Sequence, residues 1–159
     1  MLDVRQLGWD ERALGEVDHR TVKAPYVRLS ARTVGAHGDV VYFFDLRLTQ
    51  PNTTYLSTVE LHSMEHLLLA GFRKYLPDNF ICVAPMGCQT GLYLVLLNEG
   101  RADVVLGAYE SILHDILNES SVPYADVKDC GHWEHHDLKA AQAIAHRLLA
   151  EKAAWRQVL

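Results

Sequence analysis

Two imidazoles four residues apart, with a carboxylate between them, are the strongest chemical signal in the chain: His62-Ser63-Met64-Glu65-His66. On a helix, positions i and i+4 share one face about 6 Å apart along the axis, so both rings can close on one metal ion. Glu65 lies on the adjoining edge, where a carboxylate can act as general base without being a ligand. The His-x3-His spacing alone is common. Leu61, Met64, Leu67 and Leu68 around it indicate a buried face, whose polar atoms need partners that a metal could supply. A catalytic metal site uses three protein ligands and an open position, so another donor must come from elsewhere. Cys88, Cys130 and the cluster His132, Glu134, His135 and His136 are the candidates.

Cys88 sits in the glycine-bracketed loop Pro85-Met86-Gly87-Cys88-Gln89-Thr90-Gly91, which can present a thiol to a site. Cys130 precedes Gly131, where the backbone can approach closely. Cys82, inside an apolar run, reads as a core thiol. The cluster at 132–136 reads as a solvated turn leading into the last helix. Asp45 and Arg47 share one face of a strand, where an ordinary strand-end ion pair is the plain reading. Arg73, beyond His66, is by default a surface charge at a helix end.

These residues must be positioned by regular elements. Residues 26–33 and 40–48 alternate as two strands of a hairpin around Gly35 and Gly38. The second strand puts Val41, Phe43, Asp45 and Arg47 on one face and Tyr42, Phe44, Leu46 and Leu48 on the other. Ser57 and Glu60 form a capping box that opens a helix over 58–75. Strands over 79–84 and 92–98 flank the Cys88 loop, the second apolar throughout like a central buried strand. Helices follow over 103–117 and 137–155, the last with Asp137 as N-cap. Two hairpin-like strand pairs with helices between and after them predict an α+β fold with a largely antiparallel sheet, as one domain over 1–159 with 1–16 a loosely ordered arm.

The composition narrows the function classes. The chain has 159 residues, 15 Lys+Arg against 20 Asp+Glu, a net charge of −5 and a pI near 5.9. Such an acidic chain without a basic block is a poor binder of nucleic acid or anionic membrane. At this length roughly two-thirds of the chain's surface is buried on folding, so a metal is needed for chemistry rather than to hold the fold. The longest apolar stretch, 92–97, is far short of the roughly 20 residues that span a bilayer. Three cysteines, none in a CxxC, fit a reducing compartment, and no targeting segment is visible, so the expected location is the cytoplasm.

Several segments together resemble the S-ribosylhomocysteine lyase (LuxS) family, whose members make the autoinducer-2 precursor used in quorum sensing. They are Val17-Asp18-His19, Ala24-Pro25-Tyr26-Val27-Arg28, Phe44-Asp45-Leu46-Arg47, Gln50-Pro51-Asn52, the 62–66 and 85–91 motifs, Cys130-Gly131 and His136-Asp137-Leu138. The resemblance implies that His62, His66 and Cys130 bind one divalent metal ion per subunit, Fe(II) natively and replaceable by Zn or Co. It implies Glu65 and Cys88 as the acid/base pair. His19, Arg47 and more weakly Asp45 would contact the ribose, and Arg73 the homocysteine end. It further implies a homodimer with active sites at the subunit interface, and cleavage of S-ribosylhomocysteine to homocysteine and 4,5-dihydroxy-2,3-pentanedione, serving signalling or recycling in the methyl cycle. The chain departs from the family at Leu14-Gly15 and Cys82-Val83-Ala84, where Ser-Phe and Asp-Ile-Ser are usual.

Two rival readings share the motif. His-x-x-Glu-His also matches an inverted zinc-metallopeptidase motif, which wants a downstream carboxylate ligand and a longer chain. A non-catalytic metal-binding or thiol-sensing module would have a closed four-ligand site.

Overall fold

The capping box at Ser57 forms as expected: its hydroxyl accepts the Glu60 N–H, and the Glu60 carboxylate accepts the Ser57 N–H. Helix α1 (Thr58–Tyr75) runs from it with the expected limits and buries Leu61, Met64, Leu67, Leu68 and Phe72. The computed structural model describes residues 3–159, so residues 1 and 2 of the expected N-terminal arm lie outside it. Strands β1 (Tyr26–Val34) and β2 (Val40–Arg47) precede α1, and β3 (Phe80–Pro85), β4 (Gly91–Leu97), α2 (Ala102–Asn118) and α3 (Leu138–Ala150) follow it.

The fold is α+β, with a four-stranded antiparallel sheet in the order β1-β2-β4-β3. Both hairpins form, and their second strands sit side by side in the middle of the sheet because β2 pairs with β4. Residues facing each other across antiparallel strands share a face. Leu29, Phe44, Leu94 and Val83 therefore form an inner row, which joins Met64 and Phe72 of α1 and Tyr109 and Ile112 of α2 in the main core. The other face carries Ala31, Phe43, Val95 and Cys82 in one row and Arg28, Asp45, Tyr93 and Ala84 in the next. The expected division of β2 into two faces is thus what the register shows.

Three expectations are corrected. Cys82 is not a core thiol: a register shift between Phe80 and Cys82 in the edge strand β3 leaves both Ile81 and Cys82 exposed. Strand β4 is central but buried on one face only, and Tyr93 is 48% exposed. The last helix stops at Ala150, short of 155. There Trp155 turns back, its indole N–H donating to the Leu148 carbonyl at 3.0 Å and its ring meeting Tyr109 at 5.0 Å.

Residues 3–16 lie against the body of the protein. Val4, Leu7, Trp9 and Ala13 are buried, and the Trp9 indole donates to the Gly100 carbonyl at 2.7 Å. Among the described residues no helix is long and apolar enough to cross a membrane.

Candidate active site

Helix α1 presents His62 and His66 one above the other, their ring centroids 4.7 Å apart. Each ring is oriented from outside the helix. His62 Nδ1 donates to the His135 carbonyl at 2.9 Å, and His66 Nδ1 donates to the Pro123 carbonyl at 2.8 Å. A carbonyl only accepts, so both Nδ1 atoms carry the proton and both Nε2 atoms keep a lone pair, the tautomer a metal requires.

Cys130 reaches the same place from the loop between α2 and α3. The Asp126 carboxylate accepts the N–H groups of Lys128 and Asp129, and the Asp126 carbonyl accepts that of Cys130, so a tight turn sets the cysteine. Its Sγ lies 3.4 Å from His62 Nε2. A tetrahedral ion with ordinary Zn–S and Zn–N bonds would separate sulfur and nitrogen by about 3.6 Å, so the spacing fits such an ion. His62, His66, Cys130 and also His136 turn donor atoms into one space, all within 4.8 Å of one another.

His136, one of the candidate donors in the sequence but read there as part of a solvated turn, joins the donor group. The cluster at 132–136 is not merely a solvated turn, because Ser63 pins its end: the buried Ser63 hydroxyl accepts the Asp137 N–H at 2.8 Å. Asp137 in turn caps α3 through the Ala140 N–H. His136 is thereby held over α1, 4.0 Å from the His62 ring and 4.5 Å from that of His66. Burial, then the neighbouring imidazoles His62 and His66, push its pKa down to about 4. His132 and His135 serve otherwise: the His132 N–H points at Cys130 Sγ at 3.4 Å, and the His135 ring meets the Thr58 hydroxyl at 3.0 Å.

Glu65 lies beside these donors in a cavity of about 320 Å³ lined by Glu65, His66, Leu69, Arg73, Tyr124 and Asp129. The Arg73 guanidinium stands 5.7 Å from the Phe80 ring and 5.9 Å from that of Tyr124, so two aromatic rings steady it.

Cys88 belongs to a different cluster. Met86, 2% exposed, anchors the 86–90 loop, and Gly91 follows where a Cβ would collide with the Leu46 carbonyl. Beside the thiol, Thr90 Oγ1 lies 3.0 Å from Sγ and Arg47 Nη1 3.8 Å away. Burial pushes the thiol pKa up, but the Thr90 hydroxyl and backbone and the Arg47 charge more than offset it, so Cys88 ionises below the ordinary thiol range. Arg47 donates to both Asp45 oxygens, at 3.1 and 2.7 Å, and to Thr90 Oγ1 at 2.7 Å. Arg28, given no role from sequence, donates to Asp45 at 3.2 Å and to the Ala13 and Gly15 carbonyls at 2.7 Å each. Asp45 and Arg47 are thus a buried network, not an exposed strand-end pair. His19, exposed, joins Arg28, Asp45, Arg47 and Tyr93 around a second cavity of about 290 Å³.

The expected site residues therefore fall into two groups within one chain. Glu65, His66 and Arg73 line one cavity, with His62 and Cys130 beside His66, and His19, Asp45 and Arg47 line the other, with Cys88 beside Arg47. The two cavities share no lining residue.

An antiparallel sheet backed by helices, with imidazoles and a cysteine sulfur converging beside a carboxylate, defines a small α+β protein with a site that could hold one transition-metal ion. The particular family follows from comparison with known proteins: a model of the S-ribosylhomocysteinase (LuxS) family matches residues 15–159, and the chain belongs to that family. It is 46% identical over 142 residues to the S-ribosylhomocysteine lyase of Dichelobacter nodosus, covering 89% of this chain and 92% of that one. The S-ribosylhomocysteine lyases of Oceanobacillus iheyensis and Chromohalobacter salexigens are 44% and 42% identical over the same share of this chain, and 92% and 91% of theirs.

Proposed function

We propose that the chain is an S-ribosylhomocysteine lyase, a carbon–sulfur lyase that cleaves S-ribosylhomocysteine to homocysteine and 4,5-dihydroxy-2,3-pentanedione, the autoinducer-2 precursor. The observation that carries this reading is the donor triad His62, His66 and Cys130, tautomers set, beside Glu65 in a chain of this family. A divalent ion held there supplies a Lewis acid for the sugar carbonyl. Imidazole and thiolate donors suit Fe(II), Zn or Co, and Fe(II) is the ion we assign.

The reaction needs no net redox change. The carbonyl moves along the ribose chain by paired proton removal and return. A proton is then lost from the carbon next to it, and the electron pair expels the homocysteine thiolate. Cys88, already inclined to ionise, and Glu65 are the two groups that carry those protons. Arg47, Asp45 and His19 hold the ribose hydroxyls, and Arg73 the carboxylate of the homocysteine end.

Glu65 lines one cavity and Cys88 lies beside Arg47, which lines the other, so we infer a homodimer in which the Arg47 cavity of one subunit closes over the metal cavity of the other. The outer sheet face supports it: Phe43 and Tyr93 lie there with exposed surface, and Tyr93 lines the cavity beside Arg47. Three free thiols fit action in the reducing cytoplasm, and the lyase unit spans 1–159.

Incubating the metal-loaded protein with S-ribosylhomocysteine under anaerobic conditions and following free thiol with a colorimetric reagent tests the reading. Thiol release is expected, lost in Cys88→Ala and in Glu65→Ala while both keep their metal. No release from fully loaded wild type, or full activity in either variant, contradicts it.

A further inference from the structure

Asp45 meets more positive charge than it can neutralise. The strand register sets Arg28 directly opposite it, and Arg28 Nε donates to it at 3.2 Å while Arg47 donates to both of its oxygens. The Tyr26 hydroxyl donates to it as well, at 3.3 Å, and stays neutral because burial, then the Asp45 charge, push its pKa up to about 12. Two guanidiniums on one carboxylate, all three side chains at most 9% exposed, leave one positive charge in excess. Arg47 brings that excess to within 3.8 Å of Cys88 Sγ. Glu16 and His19 from the 13–19 segment and Tyr93 from β4 face the same cavity, but all three are exposed and screened by water.

The other end of the Arg28 guanidinium holds backbone. Its Nη1 donates to the Ala13 and Gly15 carbonyls at 2.7 Å each, and Gly15, at φ +77°, donates its own N–H to the Ser30 carbonyl of β1 at 2.8 Å. Residues 16–21 then carry His19 along the surface. The chain is caught again where the Gln50 side chain bonds the Ala24 N–H and the Val22 carbonyl, both at 2.9 Å. His19 is thus presented between two anchors, and Arg28 is the first of them.

We propose that Arg28 is a positioning residue of the lyase site, acting at both ends: its charge gives the Asp45–Arg47 pair the surplus that faces Cys88, and its Nη1 fixes the segment that presents His19 to the same cavity. The proposal deepens the reading above, which takes Cys88 and His19 as working groups. Lysine replaces Arg28 only in part, because an ammonium keeps the charge but not the planar fork that spans a carboxylate and two carbonyls.

Iodoacetamide alkylation of Cys88 against pH, in metal-loaded protein on a Cys82→Ser background, reads the charge without substrate. Arg28→Gln brings the surplus to zero, so the midpoint should rise by about half a pH unit or more. Asp45→Asn should lower it, and the double variant, whose charge sum equals that of wild type, should return it towards the wild-type value. Arg28→Lys should keep the midpoint but raise KM for S-ribosylhomocysteine about tenfold, with kcat changed less. A role confined to stability moves neither readout in variants whose circular dichroism and metal content match wild type. Should Arg28→Gln not fold, Asp45→Asn and Arg28→Lys answer the same two questions. An unchanged midpoint across the charge series overturns the electrostatic half of the proposal, and a wild-type KM in Arg28→Lys overturns the anchoring half. Absence of thiol release from wild type would instead contradict the lyase reading, and the alkylation series would still decide the charge.

Discussion

Cys88 shows how a loop residue gains reactivity from its fold. The thiol is partly exposed, so burial alone would keep it protonated; the Thr90 hydroxyl at 3.0 Å and the Arg47 guanidinium reverse the sign. A lowered pKa means the thiolate persists to lower pH, so the acidic limb of kcat/KM lies below the ordinary thiol range. Thr90→Val removes the hydroxyl, which should move that limb upward and slow iodoacetamide alkylation of Cys88 at pH 7. An alkylation profile with an unchanged midpoint would contradict the role given to Thr90. Asp45 poses a different question, because it is 1% exposed between two guanidiniums. Asp45→Ala leaves those charges buried and uncompensated, and urea unfolding should show a loss of about 3–5 kcal/mol. Asp18→Ala, which breaks an exposed, solvent-screened pair with Arg20, should leave the urea midpoint nearly unchanged. The pairing of Asp45 with Arg47 was readable from strand alternation. The place of His136 was not, since it depends on a hydrogen bond to Ser63 made 74 residues away.

At the scale of elements, legibility followed locality. The limits of α1 were readable because a capping box and an apolar period are written in adjacent residues. The end of α3 was not, because it is decided by where Trp155 packs, against Tyr109 of α2. Cys82 was misplaced for a similar reason: the bulge that exposes it is a property of the pairing with β4, and alternation within β3 does not show it. The contact between α1 and α2 turns on Gly71. A Cβ there would lie 2.5 Å from Ile112 Cγ2. Replacing glycine by alanine gains about 1 kcal/mol of helix propensity, whereas overpacking costs about 1–3 kcal/mol. Gly71→Ala should therefore be net destabilising in urea, and its cost should be smaller on an Ile112→Ala background, where the crowding Cγ2 is gone, than in wild type. A more stable single variant would show that the helices separate freely at this point.

The whole molecule explains why the chain carries two incomplete cavities. One is lined by Glu65, His66 and Arg73 beside the other metal donors, the other by Arg47, Asp45 and His19 beside Cys88, and the sheet face at the second leaves Phe43 and Tyr93 exposed. In the proposed dimer each is completed by its partner. Phe43→Glu should then give a monomer in light scattering that still binds metal but releases no thiol. Subunit complementation tests this account most directly. Cys88→Ala and His66→Ala, each inactive alone, are mixed, unfolded together and refolded, so that half of the dimers are mixed. A site built from two chains leaves one complete site in each mixed dimer and restores about one quarter of wild-type thiol release. No recovery, from dimers shown to have exchanged subunits, would place Cys88 and the metal donors in the same chain's site and contradict the account.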